Sequence, residues 1–420
     1  MLKVEKIIPG GQAIATDETG KKIFLWNALP GEEILEYQIT KNKSNFSEAI
    51  ATKINNPSKY RVEPKDDCFL STSPWQIMDY DYELSQKQEL VVEVFREHKI
   101  EINKPEIVTD NKDYFYRNKM EYALYWDHES NKIKLAFHAR GSHRKIKVVS
   151  SSIERPEILA RAKEIIDELN ANGEEARKYQ SLLLRVNQNG EVSGGLYENK
   201  KPHPKFKNLQ DEILERTYSY SPNGFFQINL PVYELALLEI KKYIKTNKVL
   251  DLYSGVGTIG LSVAGDKDLT LVEVDKNAFD EMVKNIVGST WAGDGAGGTP
   301  AARRRMSSTV GEAATAGPAQ KSVRNGNILA ILDKSENVTN YIAPDQTVIL
   351  DPPRAGCDKK LIDKLCEINP KTIIYLSCNP ATQARDVKFL LEKYEIKSIK
   401  TFNFFPHTPH IENLVILSSK

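Results

Sequence analysis

With 420 residues, a hydrophobic content of 40% and a charged content of 27%, the chain has the composition of a soluble globular protein with two or three domains. Its net charge of +1 excludes a globally basic nucleic-acid binder, so any such surface must be a local patch. The four cysteines show neither metal-ligand spacing nor a disulfide framework, and no apolar run reaches the length of a membrane span. Because the first residues also lack the apolar core of a signal peptide, we expect a cytoplasmic protein without a membrane partner. We also expect a monomer.

Residues 1–57 are predicted to be all-β, because short alternating segments are separated by turn signals such as Pro9-Gly10-Gly11 and Pro30-Gly31. Five short strands in this length are typical of a small barrel of the OB type, which often binds nucleic acid. A barrel without a ligand is the alternative, in which the lysines at 41, 43 and 53 are solvated loop charges.

Residues 58–224 mix helices and strands and are predicted to form a central α+β domain. Helices are expected at 83–98, a candidate for packing on the domain that follows, and at 156–171. Between 112 and 147, nine Lys or Arg stand against four Asp or Glu and alternate with aromatic residues, a pattern that suits RNA phosphates and unstacked bases. An ordinary half-buried sheet is the alternative. The candidate RNA-binding residues are Arg117, Lys119, Arg140, His143, Arg144 and Lys145.

From 225 to 420, strands alternate with helices, which predicts a doubly wound α/β sheet of the Rossmann type. Residues 287–320 differ abruptly, since they hold 7 Gly and 8 Ala in 34 positions and no Lys. By composition this segment is a flexible loop. It is either an insertion whose run Arg303-Arg304-Arg305 contacts RNA or sequence foreign to the domain, and the abrupt change favours the second.

A glycine-rich turn, Ser254-Gly255-Val256-Gly257, follows the predicted strand that contains Asp251. Glycine lets the backbone approach a ligand closely at such a strand-to-helix turn. Glu273 ends the next predicted strand, about twenty residues later, where a carboxylate accepts hydrogen bonds from ribose hydroxyls. Together they indicate a cofactor that contains adenosine, while the lack of a Walker lysine disfavours a nucleoside triphosphate.

Three more candidates lie at predicted strand ends. Asp351 precedes two prolines that fix a rigid turn, so its carboxylate can bind a cationic group; a simple capping Asp is the alternative. Cys378 follows the apolar run Ile373–Leu376 and precedes a helix predicted at 383–393, whose dipole favours a thiolate. Buried free cysteines are usually inert, so this segment by itself leaves packing and catalysis evenly balanced. Glu412, before the last strand, is a candidate base if it reaches the same edge, although an isolated Glu is usually a surface residue.

In chain order, FFQIN at 225–229, DLYSGVGTIGL, LVEVD, LDPPRAG, YLSCNPAT and FPHTPHIE resemble the RNA uracil-5-methyltransferase family, which uses S-adenosylmethionine. GGQA, ALPGE and YRVEP near the start resemble the TRAM domain of the branch that modifies large-subunit ribosomal RNA. The resemblance implies that Cys378 is the nucleophile, which adds to carbon 6 of a flipped uracil, and that Glu412 is the base that removes the carbon 5 proton. It also places the family's cofactor-binding positions at Gln227, Tyr253, Thr258, Glu273, Asn327 and Asp351.

The chain departs from the family pattern at several positions. Many relatives bind a [4Fe–4S] cluster through four cysteines, of which only Cys68 is present, so we expect no iron–sulfur cluster and no metal. Asn403 stands where relatives often have Asp. The segment 287–320 falls between Glu273 and Asn327, where it is expected to replace the end of a helix and a strand of the adenine pocket.

The expected reaction is methylation of carbon 5 of a uridine, with large-subunit ribosomal RNA as the favoured partner and tRNA as the alternative. Methylation of an adenine amine is disfavoured, because such a site needs an aromatic residue where Arg354 stands and needs no cysteine. A catalytically inactive RNA-binding or assembly factor is the remaining alternative, if the segment 287–320 destroys the cofactor pocket.

Overall fold

The computed structural model describes residues 1–202, 204–288 and 321–420. The low-complexity segment predicted at 287–320 lies outside these ranges, apart from Val287 and Gly288, which end a helix. Among the helices of the described residues, none is both long enough and apolar enough to cross a bilayer.

The N-terminal unit is a closed barrel of five strands within the described range 1–202, as predicted for residues 1–57. The strands are β1 (Leu2–Ile7), β2 (Ala13–Thr16), β3 (Lys22–Trp26), β4 (Glu33–Asn42) and β5 (Phe46–Asn56). They pair in the order β1-β2-β3-β5-β4, and β4 returns to β1. Alternate side chains, such as Ile23 and Leu25, are buried inside the barrel, which is the pattern that predicted the strands.

The middle of the chain contains α1 (Phe69–Thr72), α2 (Tyr80–Glu97), β6 (Glu106–Val108), β7 (Lys119–Asp127), β8 (Lys132–His138), β9 (Lys145–Lys147), α3 (Pro156–Ala171), β10 (Tyr179–Val186), β11 (Val192–Glu198), β12 (Leu209–Ile213) and β13 (Arg216–Tyr220). Strands β7 to β11 form an antiparallel sheet in the order β11-β10-β7-β8-β9. Helix α3 covers this sheet with Ile158 and Ile165. The helix predicted at 156–171 is confirmed.

The C-terminal part contains α4 (Leu230–Lys241), β14 (Lys248–Leu252), α5 (Thr258–Val263), β15 (Asp268–Glu273), α6 (Lys276–Gly288), β16 (Lys321–Asn325), β17 (Ile328–Leu332), β18 (Gln346–Leu350), α7 (Lys359–Ile368), β19 (Thr372–Ser377), α8 (Pro380–Leu390), β20 (Tyr394–Phe402) and β21 (Glu412–Ser419). Helix α8 begins earlier than predicted, because the side chain of Asn379 caps it by accepting a hydrogen bond from the Ala381 N–H.

Within the described residues, nine strands form the C-terminal sheet in the order β16-β17-β15-β14-β18-β19-β21-β20-β6. Strands β17, β15, β14, β18 and β19 are parallel to one another, whereas β16 and β21 run antiparallel to their neighbours. After β14 the chain moves to one side through β15 and β17, and it returns to the other side at β18. This reversal opens a crevice at the carboxyl ends of β14 and β18, where open α/β sheets bind ligands. The predicted α/β fold is confirmed.

Parts of the predicted central domain pack on this C-terminal sheet. Strand β6 pairs with β20 at the edge of the sheet. Helix α2 packs against α8, with Leu90 and Val94 in the same core as Val387. The hairpin β12–β13 joins the core on the other face, beside α4 and α6. The predicted boundaries after 57 and at 225 were drawn from composition. In the structure, segments that come before 225 in the chain pack on the C-terminal sheet.

Helix α2 carries a fully buried ion pair, Glu83–Lys87, with 2.8 Å between the two side chains. Lys87 Nζ also donates to Asn403 Oδ1 (2.6 Å) and to the carbonyl of Phe405 (3.0 Å). Both carboxylate oxygens of Glu83 accept from the His407 N–H, at 3.0 and 2.9 Å. Burial opposes ionisation of Glu83, but the Lys87 ammonium and the hydrogen bond from His407 outweigh it and hold its pKa below the usual value. The pair therefore fixes the 403–411 loop onto α2.

Lys87→Met should lower the free energy of unfolding by about 3–5 kcal/mol, because it leaves the Glu83 carboxylate buried without its counter-charge. Urea denaturation followed by circular dichroism measures the change. The control is Lys104→Met, which removes an exposed ion pair with Glu89 of the same helix and should cost less than about 1 kcal/mol. Equal urea midpoints for the two variants would show that the buried pair does not contribute to stability.

Candidate active site

A cleft of about 1900 Å³ opens at the carboxyl ends of β14, β15, β18 and β19, where β21 begins. The structure brings most of the predicted site residues together along its walls. These residues are Arg117, Gln227, Tyr253, Thr258, Glu273, Asp351, Cys378 and Glu412. They come from positions between 117 and 412, so the fold rather than the local sequence assembles the site.

The glycine-rich turn after β14 forms one wall of the cleft. Tyr253, Gly255 and Gly257 have positive φ angles of 65°, 57° and 88°. A side chain at Gly257 would meet Leu261 Cδ1 at 2.9 Å, so this position requires glycine for space as well as for backbone conformation. Helix α5 begins after this turn, at Thr258, and the backbone of the turn lines the cleft, where a ligand can approach it.

Asp251, within β14, is hydrogen-bonded to the start of the helix that follows this turn. Its side chain is fully buried, and Oδ2 accepts a hydrogen bond from the Gly260 N–H at 2.8 Å. Burial raises the pKa of Asp251 to about 8, and the nearby charges of Asp351 and Glu273 act in the same direction, against the Gly260 hydrogen bond. Asp251 is therefore an internal support whose carboxyl is mostly protonated at neutral pH.

Glu273 ends β15 and faces the same cleft. Its Oε1 accepts from the N–H groups of Val274 and Asp275 at 2.8 and 2.6 Å, and its Oε2 accepts from Gly255 at 2.7 Å. Burial raises the pKa of Glu273, against these three hydrogen bonds. A carboxylate has about four acceptor positions, so Oε2 retains one for a ligand hydroxyl.

Asp351 follows β18 on the opposite side of the strand reversal. Burial raises its pKa to about 7, so its charge changes close to neutral pH. A cationic ligand in the cleft would favour the ionised carboxylate. The predicted role of Asp351 as a partner for a cationic group is consistent with this position.

Cys378 lies directly after β19, half-buried, at the start of the turn into α8. Burial raises the pKa of its thiol to about 11, with the charges of Glu412 and Asp351 adding to the effect and Arg354 opposing it. The expectation that the helix dipole favours a thiolate is therefore wrong for the free protein. Two carboxyl groups and partial burial outweigh a helix amino terminus, so the thiol is protonated at neutral pH.

Glu412 is the first residue of β21 and is buried. Burial raises its pKa well above the usual value, Asp351 raises it further, and Arg354 lowers it. Burial and Asp351 therefore disfavour the ionised form of Glu412, and a positive charge in the cleft would favour it.

Arg354 and two residues of the 403–411 loop also line the cleft, although the sequence-based assignment gave them no role. The guanidinium of Arg354 donates to His410 Nδ1 at 3.0 Å. Burial and the charge of Arg354 lower the pKa of His410 to about 4, so the ring is neutral and accepts this hydrogen bond. Phe405 packs edge-on against the same ring, with 5.6 Å between ring centroids. The sequence signal that could have identified them is their position within motifs, since Arg354 belongs to DPPR and both Phe405 and His410 belong to FPHTPHIE.

The predicted RNA-binding residues divide into different environments. Arg117 lies at the cleft. Lys119 Nζ donates to the carbonyls of Asn223 and Gly224, and burial lowers the pKa of Lys119 to about 8. Arg140 stacks on the ring of Trp26 at 4.2 Å and donates to the Leu70 carbonyl, so it links the barrel to the middle sheet.

The other predicted RNA contacts form an exposed turn. His143, Arg144 and Lys145 are all exposed before and at the start of β9, and Lys145 Nζ donates to the Leu124 carbonyl at 2.7 Å. The structure therefore brings only Arg117 of the six candidates to the cleft, and this turn is a separate basic surface.

The structure does not bring Asn327 to the cleft. Asn327 precedes β17, and its amide donates to the carbonyls of Asp266 and Lys267 at the opposite edge of the sheet. The residue that follows the carboxyl end of β17, on the cleft side of the sheet, is Asp333. Its N–H donates to the Glu273 carbonyl at 3.0 Å. Within the described residues, α6 and β17 are both present on this side of the sheet. The expectation that residues 287–320 replace the end of a helix and a strand of the adenine pocket concerns residues that lie, from 289 onward, outside the described ranges.

Cys68 lies away from this cleft, buried, with its thiol 3.6 Å from the Ser150 carbonyl. Asp66 accepts hydrogen bonds from the N–H and the hydroxyl of Ser152 and from Gln76. In the part of the chain that the structure describes, no group of three or more His, Cys, Asp or Glu is arranged to hold a metal ion. One thiol does not fit an iron–sulfur cluster that needs four cysteine ligands.

Comparisons with known proteins agree with this architecture. The model of the tRNA (uracil-5-)-methyltransferase family matches residues 206–420. An uncharacterized RNA methyltransferase of Bacillus anthracis is 27% identical and covers 95% of this chain and 92% of its own length. Another, from Prochlorococcus marinus, is 29% identical, and the match covers 93% of this chain and 99% of that protein. The crystal structure of a Pyrococcus abyssi tRNA (uracil-54, C5)-methyltransferase with S-adenosyl-L-homocysteine has a TM-score of 0.70 at 22% identity and covers 99% of this chain and 100% of that one.

The family match, the similar bacterial proteins and the Rossmann-type sheet together identify the class of protein as a methyltransferase that acts on RNA. The chain belongs to the tRNA (uracil-5-)-methyltransferase family, as its motifs predicted. It is an S-adenosylmethionine-dependent RNA methyltransferase. The cleft fits this cofactor, because Glu273 and Asp351 offer carboxylates to ribose hydroxyls and to a cationic centre beside an open backbone turn.

The affinity for S-adenosylmethionine should rise up to about eightfold between pH 6 and pH 7.5, because Asp351, with a pKa of about 7, is mostly protonated at the lower pH and attracts a cation only when ionised. Calorimetric titration at both pH values measures the change. Asp351→Asn should bind more weakly and remove the pH dependence. The control is Asp345→Asn, an exposed surface Asp paired with Lys248, which should behave like the unmodified protein. A flat pH profile in the unmodified protein would contradict the role of Asp351.

Proposed function

We propose that this enzyme methylates carbon 5 of a uridine in large-subunit ribosomal RNA through a covalent intermediate on Cys378. The observation that carries the proposal is the meeting of Cys378, Asp351 and Glu412 in one cleft, at the ends of three neighbouring strands of the sheet. A methyltransferase that used only a nucleophilic amine of its substrate would need neither the thiol nor the second carboxyl group.

The thiol of Cys378 activates the target base. Carbon 5 of uracil is a poor nucleophile, and addition of sulfur to carbon 6 converts the ring into an enolate whose carbon 5 is nucleophilic. Because the thiol is protonated in the free protein, its proton must leave as the sulfur–carbon bond forms. Asp351 and Glu412 are the carboxyl groups whose charges reach the thiol, so either is placed to influence that proton.

The cofactor-facing residues hold the other reactant. In this proposal Glu273 binds the ribose hydroxyls and Asp351 faces the cationic end, and both line the same cleft as Gln227, Tyr253 and Thr258. When bound, S-adenosylmethionine supplies an electrophilic methyl group and a positive charge. That charge favours the ionised forms of Asp351 and Glu412, so cofactor binding prepares the carboxyl groups for proton transfer.

Glu412 completes the reaction in this proposal. Once carbon 5 carries the new methyl group, its remaining proton must be removed before the sulfur can leave carbon 6. Glu412 is buried at the start of β21, shielded from bulk water and close enough to Cys378 to affect the thiol pKa. Transfer of this proton to Glu412 forms the carbon 5–carbon 6 double bond, breaks the carbon 6–sulfur bond and releases Cys378 as a thiolate.

Two surfaces support RNA as an extended substrate. The N-terminal barrel is of a kind that often binds nucleic acid, and the exposed turn His143–Lys145 adds positive charge outside the cleft. The barrel favours ribosomal RNA over tRNA, because the motifs at 1–57 resemble those of the ribosomal RNA branch. Transfer RNA is the second candidate, since the family model that matches residues 206–420 is named for tRNA.

RNA that carries 5-fluorouridine at the target position should form a stable covalent adduct with the enzyme and S-adenosylmethionine, because fluorine cannot leave as a proton does. Denaturing gel electrophoresis with labelled RNA detects it. Cys378→Ala should abolish the adduct, and Cys366→Ala, a matched change at another partly exposed thiol, should retain it. An adduct that persists in Cys378→Ala would refute the nucleophile assignment.

The Glu412→Gln variant provides the complementary test on ordinary uridine RNA. It should accumulate the adduct and slow turnover by about 10²–10⁴-fold, the usual contribution of a general base. Unimpaired turnover would remove Glu412 from the mechanism.

The substrate class is decided by incubating the enzyme with ribosomal RNA and tRNA from a strain that lacks the gene. The expected result is one new 5-methyluridine, located by mass mapping in large-subunit ribosomal RNA, with unmodified tRNA as the control. Methylation confined to tRNA would replace the ribosomal substrate and leave the mechanism intact.

A further inference from the structure

A second, smaller groove shares Arg354, Cys378 and His410 with the active-site cleft. Its volume is about 270 Å³. This is near the lower end for small-molecule sites, roughly 300 Å³, so the groove suits a single ring system. Because the shared residues include Cys378, an occupant of this groove would lie next to the base that the enzyme methylates.

The groove is built from distant parts of the chain. Its walls come from the barrel turn, from α2, from the start of α8 and from the 403–411 loop. The apolar wall residues are Pro9, Leu90, Val94, Pro380, Ala381, Pro409 and Ile411. Proline rings and short aliphatic side chains present flat apolar surfaces, which suit the face of a nucleobase.

The charge of the groove also suits RNA. Among the described residues that line it, none carries a carboxylate, whereas the main cleft is lined by ten Asp or Glu residues, among them Glu273, Asp351 and Glu412. Arg354 is exposed at the border of the two spaces, and its guanidinium contacts the neutral His410 ring. The side-chain partner of its guanidinium is thus a neutral ring and not a carboxylate. Its charge is therefore available for the phosphate that joins two successive nucleotides.

The barrel turn is held in place at this groove. Gly11 has a φ of 91°, and a side chain there would lie 2.1 Å from Pro409 Cβ. Trp75 Nε1 donates to the Gly11 carbonyl at 2.9 Å, and the Trp75 N–H donates to the His407 carbonyl at 3.0 Å. Trp75 therefore joins the barrel turn to the 403–411 loop, so the N-terminal barrel forms a fixed wall beside the nucleophile.

We propose that this groove binds the nucleobase adjacent to the target uridine in the same RNA strand, with Arg354 at the phosphate between them. The inference rests on the proposed function and deepens it, because it names a specificity site on the substrate. The flipped uracil occupies the cleft, its neighbour occupies the groove, and the turn at Pro9 and Gly10 contacts that neighbour. The barrel then contributes to the choice of sequence around the target as well as to general RNA affinity.

The test uses a synthetic RNA that spans the mapped uridine, in its intact form and with an abasic ribose at the preceding or at the following nucleotide. Methylation rates at limiting RNA give kcat/KM. One of the two abasic RNAs should lose about tenfold or more in kcat/KM, as expected for loss of one base contact. Ala381→Phe, which fills the groove, should lower kcat/KM for intact RNA by a similar factor and should no longer distinguish that abasic RNA from the intact one.

The matched control is Ala171→Phe, the same substitution at an exposed alanine of α3, which should retain both the rate and the discrimination. Calorimetry with S-adenosylmethionine checks that Ala381→Phe leaves cofactor affinity unchanged. If the unmodified enzyme methylates intact and both abasic RNAs equally, the neighbouring-base site is refuted while the proposed function stands. If it methylates no RNA uridine, the proposed function itself fails. Because the abasic comparison uses the unmodified enzyme, a folding defect in Ala381→Phe cannot hide the result.

Discussion

Crowding of carboxyl groups in a partly desolvated cleft is the constraint on which the rest of this site depends. Burial raises the pKa values of Asp351 and Glu412 and of the Cys378 thiol, and the charge of Asp351 adds to the effect on both of its neighbours. A cationic ligand relieves this repulsion, so the cleft suits a cofactor with a sulfonium and an ammonium group better than one rich in phosphates. This crowding disfavours loss of a proton from Cys378 and from Glu412, and a positive charge in the cleft would act in the opposite direction.

The 403–411 loop connects the N-terminal half of the chain to this cleft. It precedes Glu412 and is held from α2 by the buried pair Glu83–Lys87. The hydroxyl of Tyr116 donates to its Pro406 carbonyl at 3.0 Å, and Trp75 donates to its His407 carbonyl at 3.0 Å. His407 itself has a positive φ of 59°, a conformation that these contacts stabilise. The segments before the methyltransferase sheet therefore fix the loop that leads into Glu412, which explains why they interleave with the sheet instead of forming a detached module.

Much of the cleft could be predicted, because parallel strands place their carboxyl ends at one edge of a sheet. Asp351, Cys378 and Glu273 each follow or end an apolar run, so their convergence follows from strand order. Asn327 shows the limit of this reasoning, since it precedes its strand and therefore lies at the other edge. Arg140 shows another limit. Its charge suggested RNA, but in the structure the guanidinium covers Trp26, because a long cationic side chain can bury its stem and stack on an aromatic ring.

The sequence by itself determined the barrel, the α/β sheet, the family and the identities of the nucleophile and base candidates, because these depend on local periodicity and on short motifs. The tertiary structure decided the state and surroundings of those groups. Only the packed chain shows that burial raises the pKa of the Cys378 thiol, that β6 joins the methyltransferase sheet while α2 packs on α8, and that the barrel turn at Pro9 lies beside Cys378. The reason is physical: burial, charge proximity and contact between segments hundreds of residues apart are properties of the three-dimensional arrangement, and no local pattern in the chain encodes them.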